Sequence, residues 1–84
     1  MYFAEPLWYV PNMLTAGQVR AARALLGIRQ SDLAAQSGVA EITVKLFEGG
    51  ARDARVSTAE KIRSALERAG VEFVEGGVKL KSAA

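Results

Sequence analysis

Apolar positions recur at helical spacing through most of the chain, and glycines divide the pattern into segments. Thr15 is a good N-cap residue and Gly27 a good stop, so we predict a first helix between them. Arg20 points away from its apolar face. The predicted inward positions are Val19, Ala22, Leu25 and Leu26.

The same reasoning predicts three further helices. They run from about Gln30 to Gln36, from about Glu41 to Glu48, and from a cap at Ser57 or Thr58 to Ala69. Their expected stops are Gly38, Gly49-Gly50 and Gly70. Their predicted inward positions are Leu33, Ala34, Val44, Phe47, Ile62, Ala65, Leu66 and Ala69.

After residue 70 the period changes to that of strands, which predicts a β-hairpin. Taking Gly76-Gly77 as the two turn residues sets Phe73 opposite Leu80 and Glu72 opposite Lys81. This register makes one face apolar and gives the other an ion pair. Because an isolated hairpin is only marginally stable, it must lie on the helices or pair with a second copy.

The first 13 residues have no helical period, and they contain both prolines of the chain and four aromatic residues. We interpret them as an N-terminal arm whose candidate contact residues are Phe3, Trp8 and Tyr9. These side chains could pack on the domain itself or on a partner subunit, or the arm could be disordered. The predicted organisation is an arm (1–13), a helical domain (14–70), and a hairpin with tail (71–84).

The composition narrows the range of functions. At 84 residues with a net charge of +2, the chain has room for one domain and carries only a mild basic bias. It has no cysteine and no histidine, no phosphate-binding glycine loop, and no carboxylate pair at catalytic spacing. We therefore predict neither an enzyme nor a metal or cofactor site. No segment is typical of a signal peptide or a membrane span, so we expect a cytoplasmic protein.

Residues 30–49 have the pattern of two helices that cross at a tight turn. Ala34 is small where the helices meet, and Gly38 can adopt the positive φ that such a turn needs. The inward apolar set is Leu33, Val39, Val44 and Phe47. This spacing is typical of a DNA-reading helix-turn-helix, although a short helical hairpin in any bundle shares part of it.

The chain resembles the Cro and phage-repressor (xenobiotic-response-element, XRE) helix-turn-helix family over residues 14–69. The matching positions are Arg23-Ala-Leu-Leu-Gly27, Gln30, Leu33-Ala34, Gly38-Val39, Thr43-Val44, Glu48 and Gly50. It is most similar to short bacterial members in which a β-hairpin follows the fourth helix. The resemblance implies a four-helix, lambda-repressor-like domain that binds specific double-stranded DNA as a homodimer and regulates transcription at the nucleoid.

The resemblance also implies roles for individual residues. Residues 41–45, including Thr43, would lead the recognition helix into the major groove. Gln30 would bind a phosphate through its side chain or through the amides of its helix end. Arg23 and Glu48 would form an internal, structural ion pair.

Several positions depart from the family pattern. Arg29 replaces a common capping residue, at a cost of about 1 kcal/mol, but could reach a phosphate. Ala40 replaces the usual Ser before the third helix, at the same cost and with the loss of a hydroxyl that could bind a phosphate. Ile42 and Leu46 stand where many relatives have polar side chains, and they could contact thymine methyl groups or a protein.

The charged residues near this segment have two interpretations each. Glu41 could accept a hydrogen bond from cytosine or simply favour a helix N-terminus. Lys45 could bind a phosphate or guanine or be merely solvated. Arg52 and Arg55 could add phosphate contacts or be ordinary loop charges.

The partners also remain open at this point. Besides a DNA-binding repressor or activator, the sequence is compatible with a protein-interaction adaptor that uses Ile42, Leu46 and the arm, or with the antitoxin of a toxin–antitoxin pair. Dimerisation is expected through the hairpin edge, with Phe73, Val74 and Leu80 as contacts, and through the arm. Such pairing would space two half-sites by about 34 Å.

Overall fold

The computed structural model describes residues 14–50 and 55–81, which form four α-helices followed by an antiparallel hairpin. The elements in chain order are α1 (Ala16–Leu26), α2 (Gln30–Ser37), α3 (Glu41–Glu48), α4 (Val56–Ala69), β1 (Val71–Val74) and β2 (Gly77–Leu80). The predicted mainly helical fold with a C-terminal hairpin is confirmed. The arm, with Phe3, Trp8 and Tyr9, and the loop residue Arg52 lie outside the described residues.

The boundaries of α1 follow directly from its terminal residues, as predicted. The Thr15 hydroxyl accepts a hydrogen bond from the Gln18 amide at 3.1 Å, and the Gln18 side chain accepts one from the Thr15 amide at 2.9 Å. This reciprocal capping box satisfies two of the amides that a helix start leaves without partners. At the other end Gly27 adopts the left-handed conformation with φ of 68°.

Helix α2 starts at Gln30, as predicted, whereas the start of α4 differs from the expectation. The Asp32 carboxylate accepts a hydrogen bond from the Arg29 amide at 2.9 Å, so α2 keeps half of a capping box despite the missing cap side chain. Helix α4 begins at Val56, with Arg55 as its N-cap, and the Arg55 side chain makes no capping hydrogen bond. The prediction of a cap at Ser57 or Thr58 is therefore wrong, because both residues already lie in the first turn.

One apolar core lies where α1, α2, α3, α4 and β1 meet. Its buried members are Leu14, Val19, Ala22, Leu33, Ala34, Val44, Phe47, Ala59, Ile62, Ala65, Leu66 and Val71. Two predicted core positions are wrong. Leu25 is exposed because Val19, Ala22 and Leu26 define the inward direction of α1, and Ala69 is exposed at the end of α4. Among the described residues, no helix is long and apolar enough to cross a membrane.

The hairpin register is two residues away from the predicted one. Val74 pairs with Gly77, so the turn residues are Glu75 and Gly76, and Gly76 supplies the positive φ of 69°. Glu72 consequently pairs with Lys79, at 3.2 Å between Nζ and Oε2, rather than with Lys81. A shift of two residues keeps every side chain on its expected face, because side chains alternate with period two.

The actual register anchors the hairpin to the helices. The Lys81 amide donates to the Gly70 carbonyl at 2.9 Å, and its ammonium group donates to the Glu67 carbonyl at 2.8 Å. On the other end, the Gln18 side-chain amide donates to the carbonyls of Val74 and Gly77 at 2.9 and 3.0 Å. The hairpin therefore packs on α1 and α4, which is one of the two outcomes expected for it.

Candidate nucleic-acid interface

Helix α3 has one face in the core and one face in solvent. Val44 and Phe47 are buried, and so is Glu48 at 5% exposure. We define the exposed α3 face as Glu41, Ile42, Lys45 and Leu46, all of which are exposed. These residues follow the i, i+1, i+4, i+5 spacing of a continuous helix face. Thr43 is half-buried at its border.

The turn before α3 fixes the direction in which this helix leaves the core. It consists of Gly38, Val39 and Ala40, between the end of α2 and the start of α3. Gly38 has φ of 74° and donates its amide to the Ala34 carbonyl at 3.0 Å. Val39 is half-buried and packs against the core, as predicted. Glycine is required here because other residues rarely adopt this conformation.

The far end of α3 is held by the buried Glu48 carboxylate. Arg23 of α1 donates to it twice, from Nε to Oε2 at 2.6 Å and from the second guanidinium nitrogen to Oε1 at 2.8 Å. A third guanidinium nitrogen of Arg23 donates to the Ile28 carbonyl at 3.1 Å. The ion pair implied by the family resemblance is thus present, with the two-pronged geometry that lysine could not reproduce.

The same carboxylate collects further donors. Gln30 Nε2 donates to Glu48 Oε1 at 3.1 Å. Burial raises the pKa of Glu48, but the hydrogen bonds from Arg23 and Gln30 and the charges of Arg23 and Arg20 outweigh it, so the pKa lies below its ordinary value. The hydrogen bond to Glu48 correspondingly raises the pKa of Arg23. Glu48 therefore stays ionised in the folded protein at neutral pH.

The Gln30 side chain contacts Glu48, which differs from the expectation for it. That side chain was expected to face a phosphate, whereas its amide nitrogen is engaged by Glu48. The backbone amides at the start of α2 are the alternative phosphate donors that the resemblance implies. The contact also places the beginning of α2 beside the end of α3.

Arg20 is a contributor that the sequence reasoning missed. Its guanidinium donates to the Glu48 backbone carbonyl, at the last turn of α3. Arg20 and Arg23 are three residues apart on α1, so they lie on the same side of that helix. This spacing, facing a single buried glutamate, is the signal that could have identified the contact.

Three of the predicted phosphate-binding cations, Arg29, Lys45 and Arg55, are exposed. The Arg29 side chain is 83% exposed and forms an ion pair with Asp32, at 3.4 Å between Nε and Oδ2. Hydrogen bonds from Arg29, chiefly from its backbone amide, lower the pKa of Asp32. Within residues 14–50 and 55–81, Lys45 and Arg55 form no ion pair.

The hairpin residues proposed as partner contacts fall into two groups. Phe73 is half-buried, packs against the core, and lies under the Arg63 guanidinium at 5.4 Å from the ring centroid. Its own domain therefore covers part of its surface, and its use as a partner contact stays a prediction. Val74 and Leu80 are exposed.

Comparison with known proteins adds no family assignment. No protein-family model matches the chain, and no curated protein matches it. The interpretation of the exposed α3 face therefore depends on its geometry and chemistry.

Proposed function

We propose that the protein is a sequence-specific, double-stranded-DNA-binding transcriptional regulator that acts as a homodimer. In this proposal α2, the turn at Gly38 and α3 form a helix-turn-helix of the Cro and phage-repressor type. The protein would then work in the bacterial cytoplasm, at the nucleoid. Residues on the exposed α3 face would contact base edges in the major groove.

The observation that carries the proposal is a rigidly anchored helix whose outer face is uncovered by the described residues. An α-helix fits the major groove of B-form DNA, and specific reading requires its side chains to be held at fixed positions. Val44 and Phe47 anchor the middle of α3, and the contacts of Glu48 anchor its end. The three-residue, glycine-containing turn before α3 is typical of a helix-turn-helix.

The distribution of cations supports a polyanionic partner. Arg29 lies at the start of α2, which the Gln30–Glu48 contact places beside α3. Lys45 lies on the flank of the exposed α3 face, about 60° around the helix from Ile42 at about 100° per residue. The two DNA backbones border the groove that the centre of the face would enter, so a flanking lysine suits a phosphate.

Dimerisation is the second part of the proposal. From the pairing of Lys81 with Gly70 and the alternation of antiparallel ladders, the backbone groups of Val71 and Phe73 on β1 and of Val78 and Leu80 on β2 point to the outer edges of the hairpin. Unpaired strand edges favour pairing with a second copy. A two-fold dimer would read two inverted half-sites about one helical turn apart.

An adaptor function is the second candidate, and one observation favours it. Ile42 and Leu46 are exposed apolar side chains on the same helix face, which is the pattern of a helix that docks on a protein. The two functions differ in their response to salt, because phosphate contacts release counterions and an apolar protein contact does not.

The test is selection of bound duplexes from a random pool, followed by titration of the best sequence at several salt concentrations. We expect enrichment of a two-fold symmetric site and a steep loss of affinity with salt. Lys45→Ala should weaken binding and reduce the slope of log K against log salt by about 0.9, the value for one phosphate contact. Lys61→Ala is the matched control, since it removes the same charge from an exposed position of α4.

Failure to enrich any sequence in dilute buffer would contradict the proposal. Enrichment of single, asymmetric sites would contradict the dimer alone. Equal salt slopes for Lys45→Ala and the wild-type protein would remove Lys45 from the phosphate contacts.

A further inference from the structure

The most outward-pointing side chains of α3 are apolar. Ile42 and Leu46 are 61% and 56% exposed, and they lie one turn apart. At about 100° per residue, they lie nearly opposite the buried Val44 and Phe47, whereas Glu41 and Lys45 lie to one side. We call Ile42 and Leu46 the α3 ridge. Whatever partner approaches α3 head-on meets this ridge first.

The major groove offers one apolar group among polar base edges. That group is the C5-methyl of thymine, while the other positions present hydrogen-bond donors and acceptors. Pressing an isoleucine or leucine against those polar atoms would displace water without replacing its hydrogen bonds, which is unfavourable. An apolar ridge in the groove therefore selects thymine where it makes contact.

The spacing of the ridge fits two such methyl groups. Four residues of α-helix rise about 6 Å. Two base steps of B-form DNA span about 6.8 Å, at about 3.4 Å per step along one strand. The two side chains can therefore face base pairs two steps apart. Since this reasoning places the helix in the groove, it depends on the proposed DNA-binding function.

A protein partner fits the ridge less well. Specific protein interfaces bury about 800 Å² on each partner around an apolar centre. On the exposed α3 face, the ridge consists of two side chains beside Glu41 and Lys45, and Arg29 and Arg55 are exposed cations at the starts of α2 and α4. A small apolar contact with a lysine beside it, on a domain with further exposed cations, matches the thymine methyl groups and the phosphates of one ligand, duplex DNA.

We propose that the α3 ridge reads two thymine methyl groups, two base steps apart, in each half of the DNA site. Ile42 contacts one methyl group and Leu46 the other. The specificity of the site at these positions rests on the methyl groups themselves, without a hydrogen bond to the thymine edge.

Replacement of thymine by deoxyuridine tests this directly, because it removes only the methyl group and leaves base pairing intact. The best duplex from the random pool is synthesised with one deoxyuridine at a time, and its affinity for the full chain is measured. We expect weaker binding at two positions per half-site, separated by two steps, and unchanged binding at other thymines. Each loss should be about fourfold, as expected for one methyl-sized group at about 0.8 kcal/mol.

Combining base and side-chain changes assigns each methyl group to a residue. In Ile42→Ala, the deoxyuridine effect should disappear at one position and persist at the other, and Leu46→Ala should show the reverse. Leu25→Ala is the matched control, because Leu25 is an exposed apolar residue on α1 and should leave both effects intact.

Other outcomes overturn the proposal in distinguishable ways. Duplex binding that ignores every deoxyuridine would refute methyl reading while leaving the DNA-binding function intact. Methyl reading by the ridge would also be refuted if both deoxyuridine effects persisted in Ile42→Ala and in Leu46→Ala. If neither substitution changed the affinity for DNA, the ridge would not contact DNA, and a protein partner would be the alternative occupant. Absence of duplex binding would refute both proposals.

Discussion

The side chains on the two faces of α3 differ in whether the described residues provide partners for them. On the inner face, the Glu48 carboxylate is buried but receives hydrogen bonds from Arg23 and Gln30. On the outer face, Ile42 and Leu46 are exposed without an apolar neighbour that buries them, and Lys45 has no ion pair among the described residues. Within residues 14–50 and 55–81, the inner face therefore has partners for its charged group, whereas the outer face leaves its apolar side chains exposed.

The difference distinguishes residues that hold α3 in place from residues of α3 that can contact a partner. A buried charge is tolerated only with partners, so the Glu48 contacts fix the end of α3 relative to α1 and α2. Changes to the inner face should therefore lower the free energy of unfolding. Changes to the outer face should leave that free energy nearly unchanged, and under the proposed function they should alter binding.

The largest expected effect follows from breaking the inner ion pair. Arg23→Ala leaves Glu48 buried and without its main partner, so we expect the free energy of unfolding to fall by about 3 kcal/mol. Chemical denaturation followed by circular dichroism measures this change.

Arg29→Ala is the matched control for Arg23→Ala. It also removes an arginine from an ion pair, but the pair with Asp32 is exposed, so we expect a loss below about 1 kcal/mol. Similar losses for the two variants would show that the burial of Glu48 does not determine how much its ion pair contributes to the free energy of unfolding.

The second expected effect compares apolar residues on the two faces. Val44→Ala removes methyl groups from a fully buried site, and we expect a loss of roughly 2 kcal/mol. Leu46→Ala removes a larger group from the exposed α3 face, yet it should change the free energy of unfolding by less than about 0.5 kcal/mol. Both are measured by denaturation. A substantial loss for Leu46→Ala would mean that Leu46 is packed in the intact chain.

The sequence predicted which segments are helical better than it predicted where each helix begins and which side chains contact one another. Local chemistry decides where α1 ends, and Gly27 and Gly38 indicated their stops correctly because positive φ is a property of single residues. The start of α4 was misplaced because good capping residues at 57 and 58 lie inside a helix that begins earlier. A residue that favours the N-cap position does not by itself determine where a helix begins.

The hairpin and the site show a second limit of prediction from sequence. Alternation predicted the correct faces of the strands but could not choose between registers two residues apart, since both give the same faces. The tertiary contacts of Gln18 and Lys81 accompany the actual register. Likewise, α3 was identified from its pattern, whereas the donors to Glu48 converge from two other helices, α1 and α2, which lie 18 or more residues away in sequence.

The last effect we predict, smaller than that of Arg23→Ala, is the response of the inner face to acid. The pKa of Glu48 lies below its ordinary value of about 4.5 in the folded protein, so between these two values the unfolded chain binds more protons than the native one. Stability contributed by Glu48 is therefore fully present above about pH 4.5 and is lost as the pH falls through the lower native value.

This loss should be smaller than that of Arg23→Ala, because protonated Glu48 keeps its oxygen atoms and Arg23 keeps its packing. Denaturation of the wild-type protein and Glu48→Gln between pH 7 and about pH 3 isolates the contribution, since all other carboxylates are common to both. We expect the stability advantage of the wild-type protein to shrink as the pH falls. An advantage that stayed constant over this range would mean that the pKa of Glu48 is the same in the folded and unfolded states, and that its charge is not what holds the end of α3.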